Sequence, residues 1–442
     1  MRNIYNCILE KVIMPLGDWL NASSVMKELK KWRMYSALEC SDVENIAQVN
    51  LQKLLEHAVS NVPYYRKLNI GMLQNSPYEW LQNFPIMRKD NMRVHIDEMI
   101  ADGYNKERLV ICKSSGSSGI QGTTYESKKE QSIHRAIQIL FWEWSGYYLG
   151  KTIVQTGMTP RTSLKRLKDF LLRTHYIFAF SHDESQFIDL LHKIKNKRNI
   201  HLAGYASSLN VFAEIAKKKN INNIHFDAAI SWGDKLFEKY KQNIFNVFGC
   251  NCYDTYGCSE GVLIGAKKDL DFFYIMSPHV YVEIVDKNGN PVPDGELGYV
   301  LITRLDAFSM PLIRYYIGDL AVKLPKDKYP HKRELPYPLL ERIIGRDTDI
   351  VRTRNGAYLV VHAFTGIFEH YPEILQFKII QYNFDGIEIE YIKGNGFCVD
   401  VLEEIKNKII QGLKDEFVIT FKEVKVIEAT KSGKPQIIQS FI

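Results

Sequence analysis

Cysteine is scarce in this sequence and follows no pairing pattern. The seven cysteines are an odd number, scattered from Cys7 to Cys398, with only Cys250, Cys252 and Cys258 near one another. Disulfide-stapled secreted domains carry even, closely spaced sets, so reduced thiols in a cytoplasmic protein are expected instead. Long apolar runs are missing as well. No window approaches 18 uncharged apolar residues, which argues against a spanning helix. The apolar stretch after Arg2 is broken by Asn6, Glu10 and Lys11, so no secretory signal is expected there. Charge of one sign is thinly spread, with 57 Lys+Arg against 51 Asp+Glu leaving +6 over 442 residues. That excludes a dedicated nucleic-acid binder and leaves small anionic ligands open. A G-x-S-x-G elbow is absent, which removes support for a Ser/His/Asp hydrolase. Hydrophobic residues at 45% and charged residues at 24% are those of an ordinary globular protein.

The first 70 residues read as helical, with Ile46, Val49, Leu54, Leu55 and Ala58 near helical spacing up to Val62-Pro63. Beyond that, strands are predicted at 108–112, 152–155, 176–180 and 226–231. Helices are predicted at 128–147, 184–195, 209–218 and 236–248. Strands alternating with helices of this length predict an α/β fold, its mostly parallel sheets covered by helices. After residue 275 the texture turns β-rich, with strands at 280–285 and 299–303 around the turn dipeptide Asn288-Gly289. A Pro-rich stretch, Pro325 to Pro338, precedes Gly345-Arg346-Asp347. The expected division is a large domain of residues 1–348 and a small α+β C-terminal domain of residues 349–442.

Five segments hold chemistry. Ser114-Ser115-Gly116-Ser117-Ser118-Gly119-Ile120-Gln121-Gly122-Thr123 follows a predicted strand and precedes a predicted helix. Its glycines permit close backbone approach, and its amides and hydroxyls can wrap phosphate oxygens. Neither the Walker A lysine nor the dinucleotide glycine spacing is present. In Tyr253-Asp254-Thr255-Tyr256-Gly257-Cys258-Ser259-Glu260, an aromatic ring able to stack on a base lies close to a carboxylate able to hold magnesium. Asp319, after Gly318, suits both hydroxyls of a ribose. Gly345-Arg346 with Asp349, and Lys431-Ser432-Gly433-Lys434, complete the set.

In this order the segments resemble the adenylate-forming superfamily: acyl-CoA synthetases, nonribosomal adenylation domains and luciferase. Within it the chain looks most like phenylacetate-CoA ligases, and like their capsular-polysaccharide (CapK-like) branch. Ile13-Met14-Pro15-Leu16-Gly17-Asp18, Leu54-Leu55 and Val62-Pro63-Tyr64-Tyr65 suggest that branch. The resemblance implies that Ser114, Ser115, Gly116, Ser117, Ser118 and Gly119 grip the β- and γ-phosphates of ATP. Gly233 and Asp234 would lie beside adenine, with Ala203-Gly204-Tyr205 in the acyl segment before them. Tyr256 would stack on adenine, with Gly257 and Ser259 in the same motif, and Glu260 would hold Mg2+. Asp319 would bind ribose and Arg346 the ribose or a phosphate. Asp349 would be the pivot of a mobile small domain, and Lys434 would swing in for adenylation.

The implied activity is ATP-dependent adenylation of a small carboxylic acid. Transfer is expected to an amine acceptor in capsule or O-antigen assembly, or alternatively to coenzyme A. A non-catalytic nucleotide-binding protein on the same fold is the other alternative. It is favoured by Ile120, which stands where many relatives have a lysine that Lys128 or Lys129 would have to replace. Cys250, Cys252 and Cys258 with His279 lack the paired spacing of zinc knuckles and read as core or surface thiols. Ile4, Tyr5, Ile8, Leu9, Val12 and Ile13, with the basic segment 161–168 and Arg173, read as core helix and solvated surface. The sharper alternative is peripheral contact with the inner face of a membrane.

Overall fold

The computed structural model describes residues 3–71, 76–113, 123–157, 161–178, 184–258, 260–346, 350–354, 358–360, 364, 367–368, 370–371, 373–413, 417–428 and 437–442. Strands β1 (Val110–Lys113) and β2 (Thr123–Glu126) pair antiparallel, Lys113 opposite Thr123. The parallel half of the main sheet is built from β3 (Thr152–Gly157), β4 (Thr174–Phe178), β5 (Ile200–Tyr205), β6 (Ala228–Trp232) and β7 (Cys252–Cys258). Then follow β8 (Val262–Ala266), β9 (Phe273–Ile275), β10 (Val280–Val285), β11 (Leu297–Arg304), β12 (Tyr315–Lys323) and β13 (Leu339–Arg346). All eleven form one sheet in the order β10-β11-β12-β13-β9-β8-β7-β6-β5-β3-β4. The β-rich section is thus a continuation of the parallel section, joined where β7 pairs parallel with β6 and antiparallel with β8.

The crossovers explain why these sequences fold so. Strands β5 and β6 are almost wholly apolar and buried, as strands covered on both faces must be. Helices Ser185–Ile194, Ala206–Lys218 and Glu238–Phe248 link the parallel strands, and Phe187, Leu191, Phe212 and Phe248 pack on Val154 and Leu202. Against the antiparallel half lies helix Cys40–Asn61, with Val43, Ala47, Leu51, Leu54, Leu55 and Ala58 buried on one face. Each such leucine contributes roughly 1.5–3 kcal/mol. This helix stops at Asn61 because Pro63 drives Val62 to extended backbone.

The C-terminal unit has its own core. The pair β14 (Ile350–Arg352) and β15 (Tyr358–Val360) leads into β16 (Ile374–Asn383), β17 (Gly386–Lys393), β18 (Val418–Glu423) and β19 (Ile438–Ser440). The last four form a sheet in the order β18-β17-β16-β19. Helix Asp400–Leu413 crosses from β17 to β18, and its Ile405 and Ile409 pack on Ile379, Ile389 and Ile438.

Some expectations need correction. The Ser/Gly-rich segment is followed by β2, not directly by a helix, because residues 123–126 pair with β1. Helix Lys128–Trp144 starts after that strand, and its N-terminus is closed by its own capping box of Ser127 and Glu130. Arg108 lies in a 3-10 turn ahead of β1. Asn288-Gly289, by contrast, lies in a turn as expected, with Gly289 at φ +86° and Val285 meeting Pro291 in an antiparallel bridge. Val285 pairs with Tyr299, and the turn between them is gathered by the Asp286 carboxylate, which accepts from the amides of Asn288 and Asn290.

Candidate active site

Strand order places the site. From β3 the chain moves outward to β4, then returns to the other side of β3 for β5, β6 and β7. Ligands of open α/β sheets bind beyond the carboxyl ends of strands near such a reversal. Tyr205 ends β5, Gly233-Asp234 follow β6, and Tyr256 and Gly257 lie at the end of β7 with Glu260 just beyond. Gly233 has φ +79°, and a Cβ there would lie 2.5 Å from the Tyr205 ring. Only glycine meets both demands. Asp234 accepts from the amides of Ala206 (2.6 Å) and Ser207 (3.1 Å). Its carboxylate therefore caps helix Ala206–Lys218, where a negative charge is favoured, and ties the β6 loop to the end of β5.

Two predicted contacts meet directly. The Tyr256 hydroxyl donates to Asp319 Oδ2 at 2.8 Å, and Asp319 on β12 stands opposite Arg346 on β13. The residue expected to stack on adenine and the carboxylate expected to bind ribose are thus joined across 63 residues of sequence. Nearby, the ammonium of Lys235 donates to the carbonyl of Ile344, holding the β6 loop to the end of β13.

Glu260 is buried. Its Oε1 accepts from the Tyr315 hydroxyl at 2.9 Å and lies 3.5 Å from Lys89 Nζ. Thr124 of β2 donates to the Glu260 carbonyl at 3.4 Å, connecting the strand after the Ser/Gly-rich segment to the backbone of this residue. Gly261 has φ +85°, and a Cβ there would overlap Glu126 Oε1. That oxygen pairs with Arg304, which is 1% exposed and also donates to Asp306 Oδ1 at 3.0 Å and to the Glu130 carbonyl at 3.1 Å. His134 Nδ1 lies 2.8 Å from the Gly261 carbonyl. The Glu260 turn is therefore clamped from three elements.

The neighbouring titratable groups divide clearly. Burial, reinforced by Glu260, pushes the Cys258 thiol well above its usual range, so it stays protonated. Burial also pushes the Cys252 thiol up to about 12 and the Asp254 carboxyl up to about 6, although Ser231 donates to Asp254 at 2.6 Å. Against the pull of burial, His279 and Arg304 hold Asp306 down to about 2. Cys250 is buried in the parallel half, and His279 is engaged with Asp306 at 2.6 Å. Among the described residues no group of three His, Cys, Asp or Glu side chains is placed to hold a metal ion.

Ser114, Ser115, Gly116, Ser117, Ser118, Gly119, Ser259, Asp349 and Lys434 lie outside the described residues, as does the side chain of Arg346. Lys128 donates to the Asn21 carbonyl at 3.1 Å, so its ammonium is directed toward the N-terminal helices. Lys89, Tyr315, Lys235 and Thr124 join the site without having been expected there. Only Tyr315 had a local signal, lying in the segment that leads to Asp319.

The architecture has close counterparts. A crystal structure of 2-hydroxyisobutyryl-CoA ligase in the postadenylation state superposes with a TM-score of 0.71, covering 92% of this chain and 91% of the other at 16% identity. A large mixed-sheet domain with a small C-terminal α/β domain is the fold of the adenylate-forming acyl-CoA ligases. No protein-family model matches the sequence. Over 426 residues, 87% of this chain and 90% of the relative, it is 30% identical to phenylacetate-coenzyme A ligase of Pseudomonas putida. With the Escherichia coli K12 enzyme of the same name it shares 24% over 378 residues. The chain belongs to the phenylacetate-CoA ligase family and is an AMP-forming ligase.

Proposed function

We propose that this ligase converts a small carboxylic acid to an acyl adenylate with release of pyrophosphate, then passes the acyl group to the thiol of coenzyme A. The observation that carries this reading is the 30% identity extending over 87% of the chain to a relative named for that acceptor. It weighs toward the thiol and against the amine acceptor suggested by the CapK-like opening residues. Phenylacetate is the first acid to test. The cytoplasm, where both co-substrates are held, is the expected compartment.

The chemistry follows from charge. A carboxylate is a poor electrophile, and its attack on the α-phosphate of ATP gathers negative charge from both reactants. In this reading the ammonium of Lys434 approaches that charge, and Asp319, held by the Tyr256 hydroxyl, receives the ribose. The amides of 114–119 take the outer phosphates. Magnesium commonly takes one or two carboxylates together with substrate phosphates, so Glu260 is a sufficient protein ligand. When bound there, the ion would supply neutralisation of phosphate charge. Loss of one such stabilising contact typically costs about 2.7–4 kcal/mol in the barrier. The division at 348/349 would let residues 349–442 turn about Asp349, withdrawing Lys434 before acyl transfer.

The test is pyrophosphate release by the purified chain with ATP, magnesium and a panel of acids headed by phenylacetate. Release that depends on one class of acid is expected. Absence of release across the panel would contradict the reading and favour a non-catalytic nucleotide-binding protein.

A further inference from the structure

Two helical segments present apolar side chains that are exposed among the described residues. The first runs through helix Ile4–Ile8, a π-turn Leu9–Ile13 and helix Met14–Leu20. Its inner face is fixed, with Leu9 fully buried and Asn6 donating to the Leu149 carbonyl at 3.0 Å. Its outer face shows Ile4, Ile8, Val12, Leu16, Trp19 and Leu20, with Ile4 79% and Trp19 76% exposed. The second is helix Ser163–Leu171, none of whose residues is buried. Here Leu164 is 81% and Phe170 79% exposed, with Leu167 between them.

These segments lie side by side. The Tyr5 hydroxyl donates to the Leu171 carbonyl at 2.6 Å, and the Arg173 guanidinium sits 4.2 Å from the centre of the Tyr5 ring. The two segments therefore meet at Tyr5, where the first begins and the second ends. Around helix Ser163–Leu171 the spacing sets Leu164, Leu167 and Phe170 on one arc, with Lys168 flanking it on one side and Arg166 on the other. Along its edge, beside β4, runs an open groove of about 1110 Å³ bordered by Arg161, Arg166, Arg173, His175 and Lys193. Asp169 and Asp189 also border it, and Asp169 is paired with Arg161 at 2.8 Å.

We propose that this face docks on an anionic lipid bilayer. The side chains of Trp19, Leu164, Leu167 and Phe170 enter the boundary between headgroups and acyl chains, and Arg166 and Lys168 pair with lipid phosphates. Charge decides the occupant. A symmetric pairing with a second copy would set this cationic rim against itself, whereas an anionic surface complements it. Tryptophan beside leucine, phenylalanine and lysine is the composition of helices that lie in a membrane interface. None of the described helices is long and apolar enough to cross a membrane, so the contact is shallow and reversible.

Vesicle sedimentation tests this, using phosphatidylcholine alone and phosphatidylcholine mixed with phosphatidylglycerol. The full chain is expected to pellet with the mixed vesicles, to stay in solution with the neutral ones, and to be released by high salt. Because the side chains are exposed, the triple variant Trp19→Ser/Leu167→Ser/Phe170→Ser should keep its thermal midpoint and its pyrophosphate release while losing at least tenfold in partitioning. A second variant, Arg166→Glu/Lys168→Glu, is expected to lose about fivefold or more for each charge reversed. Failure to pellet with mixed vesicles, or equal binding to neutral ones, overturns the proposal. So does a dimer in light scattering that the triple variant converts to monomer, since the face would then belong to a second copy.

Discussion

Gly261→Ala tests how tightly the Glu260 turn is held. At φ +85° an alanine costs about 1–2 kcal/mol relative to glycine. Its methyl would also overlap Glu126 Oε1 and come within 3.3 Å of Arg304 Nη1. Relief requires Glu126 to withdraw from a guanidinium that is 1% exposed. Breaking a buried pair outright costs about 3–5 kcal/mol. Arg304 keeps Asp306 and the Glu130 carbonyl, so only part of that figure applies. The expected loss is about 2–5 kcal/mol, read as a lowered unfolding midpoint of the large domain. Below that midpoint, acyl-adenylate formation is expected to fall at least tenfold, because the same turn carries Glu260. A double-mutant cycle isolates the clash: in a Glu126→Ala background the alanine at 261 should cost only the backbone share, about 1–2 kcal/mol. A loss below about 0.5 kcal/mol in the wild-type background, within the range of ordinary surface substitutions, would refute the clamp.

Three further outcomes are expected. Asp319→Ala should weaken ATP binding by about 1.5–3 kcal/mol for each charge-assisted bond removed, with an unchanged circular dichroism spectrum; equal affinity by calorimetry would remove Asp319 from the ribose site. Lys434→Ala should abolish acyl-adenylate formation yet leave transfer from supplied acyl adenylate intact, and survival of both half-reactions would show that the lysine has no such role. Asp254 has its carboxyl raised to about 6, so its contribution to stability is full below the unfolded value near 3.8 and is lost as pH rises through about 6. Asp254→Asn should therefore be more stable than wild type at pH 8 by about 1–3 kcal/mol, with no such advantage below pH 4; denaturation series at the two pH values check this.

Much of the large domain was legible because its signals are local. Ala228–Trp232 overlaps the strand expected at 226–231 and reads as a buried parallel strand since both faces are covered, and Val62-Pro63 marks a helix end through backbone sterics alone, whereas β5 (Ile200–Tyr205) was not expected. The continuity of the sheet was not legible. It depends on β13 returning to pair with β9, Leu339 opposite Tyr274, and no local pattern encodes that partner choice. The same division runs through the site. Tyr256 and Asp319 stand in recognisable segments, and the structure joins them. Lys89 reaches Glu260 from 171 residues away, out of a short helix with no chemical signature. Asp234 stands in a recognisable segment too, but its service to the amides of Ala206 and Ser207 depends on β5 and β6 being neighbours. Likewise, β2 hid behind the glycines because four residues, Thr123–Glu126, are too few to show a period.

The most direct test of the account is the product of a complete turnover. The purified chain would be given ATP, magnesium and an acid that supports pyrophosphate release. Coenzyme A, or candidate amino sugars and amino acids, would then be added separately and the products identified by mass. The account predicts an acyl-CoA thioester with AMP and pyrophosphate in equal amounts, and no amide. An amide as the sole product, formed without coenzyme A, would contradict it.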